Sequence, residues 1–190
     1  ENQLADLFKK LDAAWGGLDM LLHSIAYAEK EDLEGAFVNT SRNGFLTALE
    51  VSAYSLIALT REAVPLFEKS GGGSVVTMSY YGAQKVIPNY KVMGVAKAAL
   101  ESCVRYLAAD LGPKNIRVNA VSAGAVRTLA SAGIKGFKSL MQAVEERAPL
   151  RRNVTMEEVA KASCFLLGSG GSGITGEILH VDTGCNILGG

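Results

Sequence analysis

Ser74-Val75-Val76-Thr77-Met78 is a short run of β-branched and aliphatic residues. Ser79-Tyr80-Tyr81-Gly82-Ala83-Gln84-Lys85-Val86-Ile87-Pro88-Asn89-Tyr90 follows it as a loop that opens into a helical stretch, Val92 to Leu111. The run lacks a regular apolar/polar alternation, as expected of a strand covered on both faces. The helical stretch closes at the breaker pair Gly112-Pro113. Strand, loop and helix in that order form the unit from which an open α/β sheet is built. Such sheets bind ligands outside the carboxyl ends of their strands, which is where this loop falls.

The flanking sequence repeats the pattern. Leu18 to His23, Ile116 to Val121 and Glu177 to Val181 read as further buried strands. Gln3 to Trp15 sets Leu4, Leu7, Phe8 and Leu11 on one stripe, and Phe45 to Phe67 reads as one long helix ending before Gly71-Gly72-Gly73. Thr155 to Leu167 is a fourth helix, with Thr155 as N-cap and Glu157 and Glu158 at the positive end of its dipole. The alternation predicts an α/β fold with a doubly wound, Rossmann-like parallel sheet. No linker, repeat or low-complexity tract interrupts it, so residues 1–190 are expected to form one domain.

A doubly wound nucleotide-binding sheet opens with a strand, a glycine-rich turn and a helix. This sequence opens on a helix followed by a strand. Gly71-Gly72-Gly73 and Gly168-Ser169-Gly170-Gly171-Ser172-Gly173 both precede strands, whereas a phosphate loop follows one and opens a helix. Both therefore read as helix-to-strand connections. The expectation is the C-terminal part of a dinucleotide-binding reductase domain, lacking the first strand-turn-helix portion.

Composition narrows the function. Nineteen basic and nineteen acidic residues balance, which argues against a nucleic-acid binder. With 48% hydrophobic and 20% charged residues the chain is too apolar for disorder. No apolar stretch approaches the roughly 18 residues of a membrane span, and no signal peptide is evident at Glu1-Asn2-Gln3-Leu4. Cys103, Cys164 and Cys185 are far apart and read as buried free thiols in a reducing cytoplasm. No metal site is expected, and His23 and His180 read as packing residues.

Tyr90 and Lys97 are the residues that invite chemistry. Seven helical steps return a side chain to within roughly 20° of the same face, about 10 Å along the axis, so the two can bracket a ligand. A nearby ammonium would favour ionisation of the phenol. Alone, the pair is better read as part of an amphipathic helix with a packed tyrosine and a solvated lysine.

The surrounding motifs resemble those of bacterial enoyl-acyl-carrier-protein reductases, divergent members of the short-chain dehydrogenase/reductase superfamily. The superfamily's ordinary pair is Tyr-x3-Lys, but the position four after Tyr90 is Gly94. The enoyl reductases use Tyr-x6-Lys with a second tyrosine ten residues upstream, here Tyr80. His23-Ser24-Ile25-Ala26-Tyr27-Ala28, Asn119 to Gly124, Val126-Arg127-Thr128-Leu129-Ala130 and His180-Val181-Asp182-Thr183-Gly184 resemble the family in the same order, so the resemblance covers nearly the whole chain.

The resemblance implies Tyr90 as catalytic tyrosine, Lys97 as the lysine that holds the nicotinamide ribose, and Tyr80 as auxiliary tyrosine at the acyl site. It implies cofactor contacts from Ile25, Lys97, Val126, Arg127, Thr128, Leu129 and Ala130, and substrate contacts from Ala28, Tyr80 and Tyr90. Gly124 is expected to let backbone approach the ring. The implied reaction reduces trans-2-enoyl-acyl-carrier-protein thioesters with NADH, NADPH not being excluded, in fatty acid elongation. The implied setting is cytoplasmic and homotetrameric, with acyl carrier protein as partner and neither nucleic acid nor membrane. Lys135 and Lys138 are expected to face the acidic carrier. The competing readings are a non-catalytic truncated Rossmann scaffold and an ordinary short-chain carbonyl reductase.

Overall fold

The computed structural model describes residues 2–128 and 136–188. Four parallel strands, β1 (Met20–His23), β2 (Gly73–Ser79), β3 (Ile116–Ala123) and β4 (Ile178–Val181), lie side by side in sequence order. The helices are α1 (Asn2–Trp15), α2 (Arg42–Leu49), α3 (Ser55–Lys69), α4 (Lys91–Leu111), α5 (Phe137–Arg147) and α6 (Met156–Leu167). The α/β, Rossmann-like expectation holds, and each expected strand forms with ends moved by at most two residues.

Adjacent strand residues point to opposite faces, and the core divides accordingly. Val75, Ile116, Val118 and Ala120 join Leu56 and Phe67 of α3 and Leu100 and Val104 of α4 in the larger cluster. Val76 and Val121 face the other way and meet Leu166 of α6. With strands added in one direction, helices on opposite faces require the β3-to-β4 crossover to have the opposite hand to the two before it. α1 packs on α3 through Phe8 and Leu11, leaving Leu7 of its apolar stripe exposed.

Two expectations are revised. The helix predicted over residues 45–67 is two helices joined by a five-residue π turn, Glu50–Tyr54, which turns the Ser55 hydroxyl back onto the Val51 carbonyl. Cys164 is exposed, because Ser163 and Leu166 are the residues of α6 that face inward, and Cys103 and Cys185 are only half-buried. Both glycine-rich stretches are helix-to-strand connections as read, with Gly72 at φ 141° packed against Asn115 and Gly71 at φ 80°. At α6 Thr155 forms a full capping box with Glu158.

Candidate active site

The loops after β1, β2 and β3 converge at the carboxyl edge of the sheet around a cavity of about 610 Å³. Ser24, Ala26, Tyr27 and Ala28 line it after β1, and Ser79 and Tyr80 after β2. Ala123 to Val126 and Thr128 line it after β3, and Tyr90, Met93 and Lys97 from the α4 side. The structure thus brings Ala28, Tyr80, Tyr90, Lys97, Val126 and Thr128 together as expected. Ile25 and Arg127 are not among the residues that line the cavity, and Ile25 is 44% exposed. Leu129, Ala130 and Lys135 lie outside the described residues.

Tyr90 occupies an unusual piece of backbone. The residues on either side, Asn89 at φ 59° and Lys91 at φ 35°, are both left-handed, a conformation that is costly for a lysine. The Tyr90 ring meets that of Tyr80 edge to face, centroids 4.8 Å apart and planes at 71°. Two glycines permit this. A Cβ on Gly82 would fall 2.5 Å from the Tyr90 ring, and one on Gly94 would fall 2.8 Å from the Gly82 carbonyl oxygen. Gly94 is therefore the seat of the tyrosine loop, and a lysine there would displace it. With this loop in place a lysine four after Tyr90 does not fit, which disfavours the carbonyl-reductase reading.

Electrostatics revise one expectation. Burial, with Tyr80 as a lesser contributor, pushes the Tyr90 phenol well above its usual range, and burial pushes Tyr80 up to about 12. Desolvation outweighs any help from Lys97, so Tyr90 is a neutral hydrogen-bond donor and not a phenolate. Lys97, 5% exposed, donates from Nζ to the Met78 carbonyl at 2.7 Å. Burial lowers its pKa to about 8 against an opposing pull from Glu101. Among the described residues the ammonium has no second acceptor, so two of its three donors remain for a ligand.

Behind the wall, His23 bridges Thr77 Oγ1 (2.7 Å) and Ser55 Oγ (2.8 Å). Because the Ser55 hydroxyl donates to Val51, Nε2 carries the proton and Nδ1 accepts from Thr77. Burial and the Lys97 charge lower the pKa of His23 to about 4, a packed neutral imidazole. Ser52 clasps the loop after β1, accepting from the Tyr27 amide and donating to its carbonyl. Sequence reasoning passed over Ser52, Ser79, Glu101 and Met93, the last set in the cavity wall. The signal for Met93 and Glu101 was available: Met93, Lys97 and Glu101 recur at intervals of four on one helix face.

Gly124 lines the cavity. A Cβ there would also meet Asp182 and Val154 at 3.0 Å, so the missing side chain lets the end of β3 pack closely on the turn after β4 as well.

A parallel sheet with its cavity at the carboxyl edge, walled by a Tyr-x6-Lys helix and a second tyrosine, defines a reductase of the short-chain dehydrogenase/reductase kind. The sequence profile described as Enoyl-(Acyl carrier protein) reductase matches residues 1–186. The NADH enoyl-[acyl-carrier-protein] reductase of Aquifex aeolicus is 50% identical over 189 residues, which are 100% of this chain and 70% of that protein. The Bacillus cereus enoyl-acyl carrier protein reductase, solved with NADP+ and an indole naphthyridinone, superposes with a TM-score of 0.96 at 48% identity. That match covers 99% of this chain and 72% of the other. The Anaplasma phagocytophilum enzyme, solved with NAD, gives a TM-score of 0.94 at 48% identity, covering 98% and 71%. The chain belongs to the enoyl-acyl-carrier-protein reductase family.

Proposed function

We propose that this chain reduces the double bond of trans-2-enoyl thioesters carried on acyl carrier protein, using NADH, as a step of fatty acid elongation. The observation that carries the reading is the pairing of a neutral buried Tyr90 with a Lys97 whose ammonium keeps two donors open to the same cavity. The residues fit a nicotinamide ribose: those donors and the Thr128 side chain border the same cavity. Lys97 would hold the ribose hydroxyls, with Val126 and Thr128 beside them. NADH supplies a hydride for the substrate Cβ.

The chain's own contribution is to the charge that then develops. As electron density moves from Cβ–Cα onto the thioester oxygen, the Tyr90 hydroxyl donates to that oxygen, and the proton that completes reduction goes to Cα. Raising the phenol's pKa keeps the donor protonated at every working pH. Tyr80 holds the Tyr90 ring by its edge and borders the acyl chain, and Ala28 adds backbone at the same end. Met93, Ile87, Phe137 and Leu140 give that chain an apolar, water-poor wall.

The working form is taken as a cytoplasmic homotetramer. Large exposed apolar side chains such as Trp15 and Tyr106 and the free cysteines support that reading. No helix among the described residues is long and apolar enough to cross a membrane. Lys138, at the start of α5, is the described part of the proposed carrier-facing charge.

The test is oxidation of NADH, with NADPH as the second arm, dependent on crotonyl and longer enoyl thioesters. Saturated thioester should appear in step with NAD⁺. Absence of product with every enoyl thioester and both nucleotides would overturn the reading. Size-exclusion with light scattering tests the tetramer.

A further inference from the structure

Glu101 lies one helical turn beyond Lys97 on α4 and is likewise 5% exposed. Its carboxylate accepts the Ser79 hydroxyl at 2.6 Å, while the Lys97 ammonium donates to the carbonyl of the preceding residue, Met78. Two oppositely charged side chains thus tie one helix face to consecutive residues at the end of β2. Among the described residues no ion pair joins them.

This arrangement is costly, because a buried carboxylate loses its hydration and a single hydroxyl donor does not replace it. A neutral glutamine could accept the same Ser79 bond, so the tie alone does not call for the charge. What the charge does is oppose the loss of the proton from Lys97, which burial favours. The other titratable groups around Lys97 supply no negative charge: His23 from β1 is neutral, and Tyr80 and Tyr90 are protonated phenols. A direct Glu101–Lys97 pair would protect the ammonium too, but it would draw the donors away from the cavity. The Ser79 bond holds the carboxylate back.

We infer that Glu101 is a positioning residue that keeps Lys97 protonated from behind while Ser79 holds it out of contact, leaving the ammonium's remaining donors turned to the cavity. The inference rests on the reading of Lys97 as the group that holds the ribose.

The experiment is an NMR titration of the Lys97 side chain in wild type, Glu101→Gln and Glu101→Asp, without cofactor, beside NADH titrations at pH 6 and pH 8. Removing the charge should move the Lys97 titration down by about one pH unit, at the lower end of the effect of a close opposite charge. The protonated fraction at pH 8 then falls about fivefold and at pH 6 hardly at all. NADH affinity should follow that split, and Glu101→Asp should recover part of it. A Lys97 that titrates at the same pH in Glu101→Gln as in wild type overturns the inference. If Glu101→Gln does not fold, Ser79→Ala decides: the released carboxylate should swing toward the ammonium, raising its titration and weakening NADH binding at both pH values. An unchanged Lys97 titration in that variant is equally fatal. If Lys97→Ala leaves NADH affinity intact, the ribose role fails, yet the NMR arm still judges Glu101.

Discussion

A half-buried arginine and a buried lysine lie at opposite ends of the sheet, and they are treated differently. Arg117, near the start of β3, donates to the carbonyls of Leu166, Leu167, Gly168 and Ile174, closing the C-terminal end of α6 with a matching positive charge. Lys97, at the carboxyl edge, is more deeply buried and holds one carbonyl. The saturated cation serves the fold. The undersupplied one is disfavoured by its burial, and its open donors are what a ligand can use. The same contrast separates Tyr81, whose hydroxyl donates to the Asn186 carbonyl, from Tyr80 and Tyr90, whose hydroxyls have no partner among the described residues.

The sharpest way to break this contrast is Tyr90→Phe. Loss of one transition-state donor costs about 2.7–4 kcal/mol, or 10²–10³ in turnover. The hydroxyl has no partner to lose among the described residues, so chemical denaturation should show stability within about 0.5 kcal/mol of wild type and NADH affinity nearly unchanged. Turnover within threefold of wild type would remove Tyr90 from the mechanism and leave Tyr80 as the candidate. Arg117→Met should do the reverse. It removes several charge-assisted bonds and strands carbonyls at the end of α6, at a cost of about 2–3 kcal/mol in stability. NADH affinity of the folded fraction should hold. A loss under about 0.5 kcal/mol would mean water replaces the guanidinium and Arg117 is an ordinary surface residue.

What the sequence disclosed follows the same division. Strand positions, the helix stop at Gly112-Pro113 and the cap at Thr155 are set by local chemistry and were legible. So were Tyr80, Tyr90 and Lys97, because their spacing on a strand–loop–helix unit is itself a geometric statement. The face on which α6 lands was not legible: hydrophobic pattern says that a helix is covered, not by which side of the sheet. The packing demands on glycines were not legible for a related reason. A Cβ on Gly124 would press on Asp182 and Val154, and one on Gly94 on the Gly82 carbonyl, contacts made across the fold. The π turn at Glu50–Tyr54 also escaped, since its residues keep the apolar period of a continuous helix.

Lys97 offers a second, opposite test of the contrast with Arg117. Its pKa in the folded chain is about 8 against an ordinary 10.5. Burying the charge therefore costs about 3 kcal/mol at neutral pH, and the Met78 bond returns about 1. Lys97→Met should accordingly be more stable than wild type by about 2 kcal/mol at pH 7 while losing NADH affinity. The sign with pH follows: between about 8 and 10.5 the unfolded chain binds more protons, so wild-type stability rises with pH across that window and the advantage of methionine shrinks. A methionine variant less stable than wild type at pH 7 would make Lys97 a structural cation like Arg117.

The smallest effect at neutral pH belongs to His23, which is already uncharged there. Its pKa of about 4 lies below the ordinary 6.5, so the unfolded chain binds more protons between those values and stability falls as pH drops through that range. Burial is the larger cause and the Lys97 charge the smaller. The two cavity-side groups are thus coupled: Lys97→Met should raise the His23 pKa and shorten the acid window, whereas Arg117→Met, at the far end of β3, should leave it in place. Imidazole ¹⁵N chemical shifts followed from pH 7 to pH 4 in the two variants measure this directly. Equal His23 titrations in wild type and Lys97→Met would show that burial alone holds the ring neutral, and that the field at the carboxyl edge reaches no further than the cavity wall.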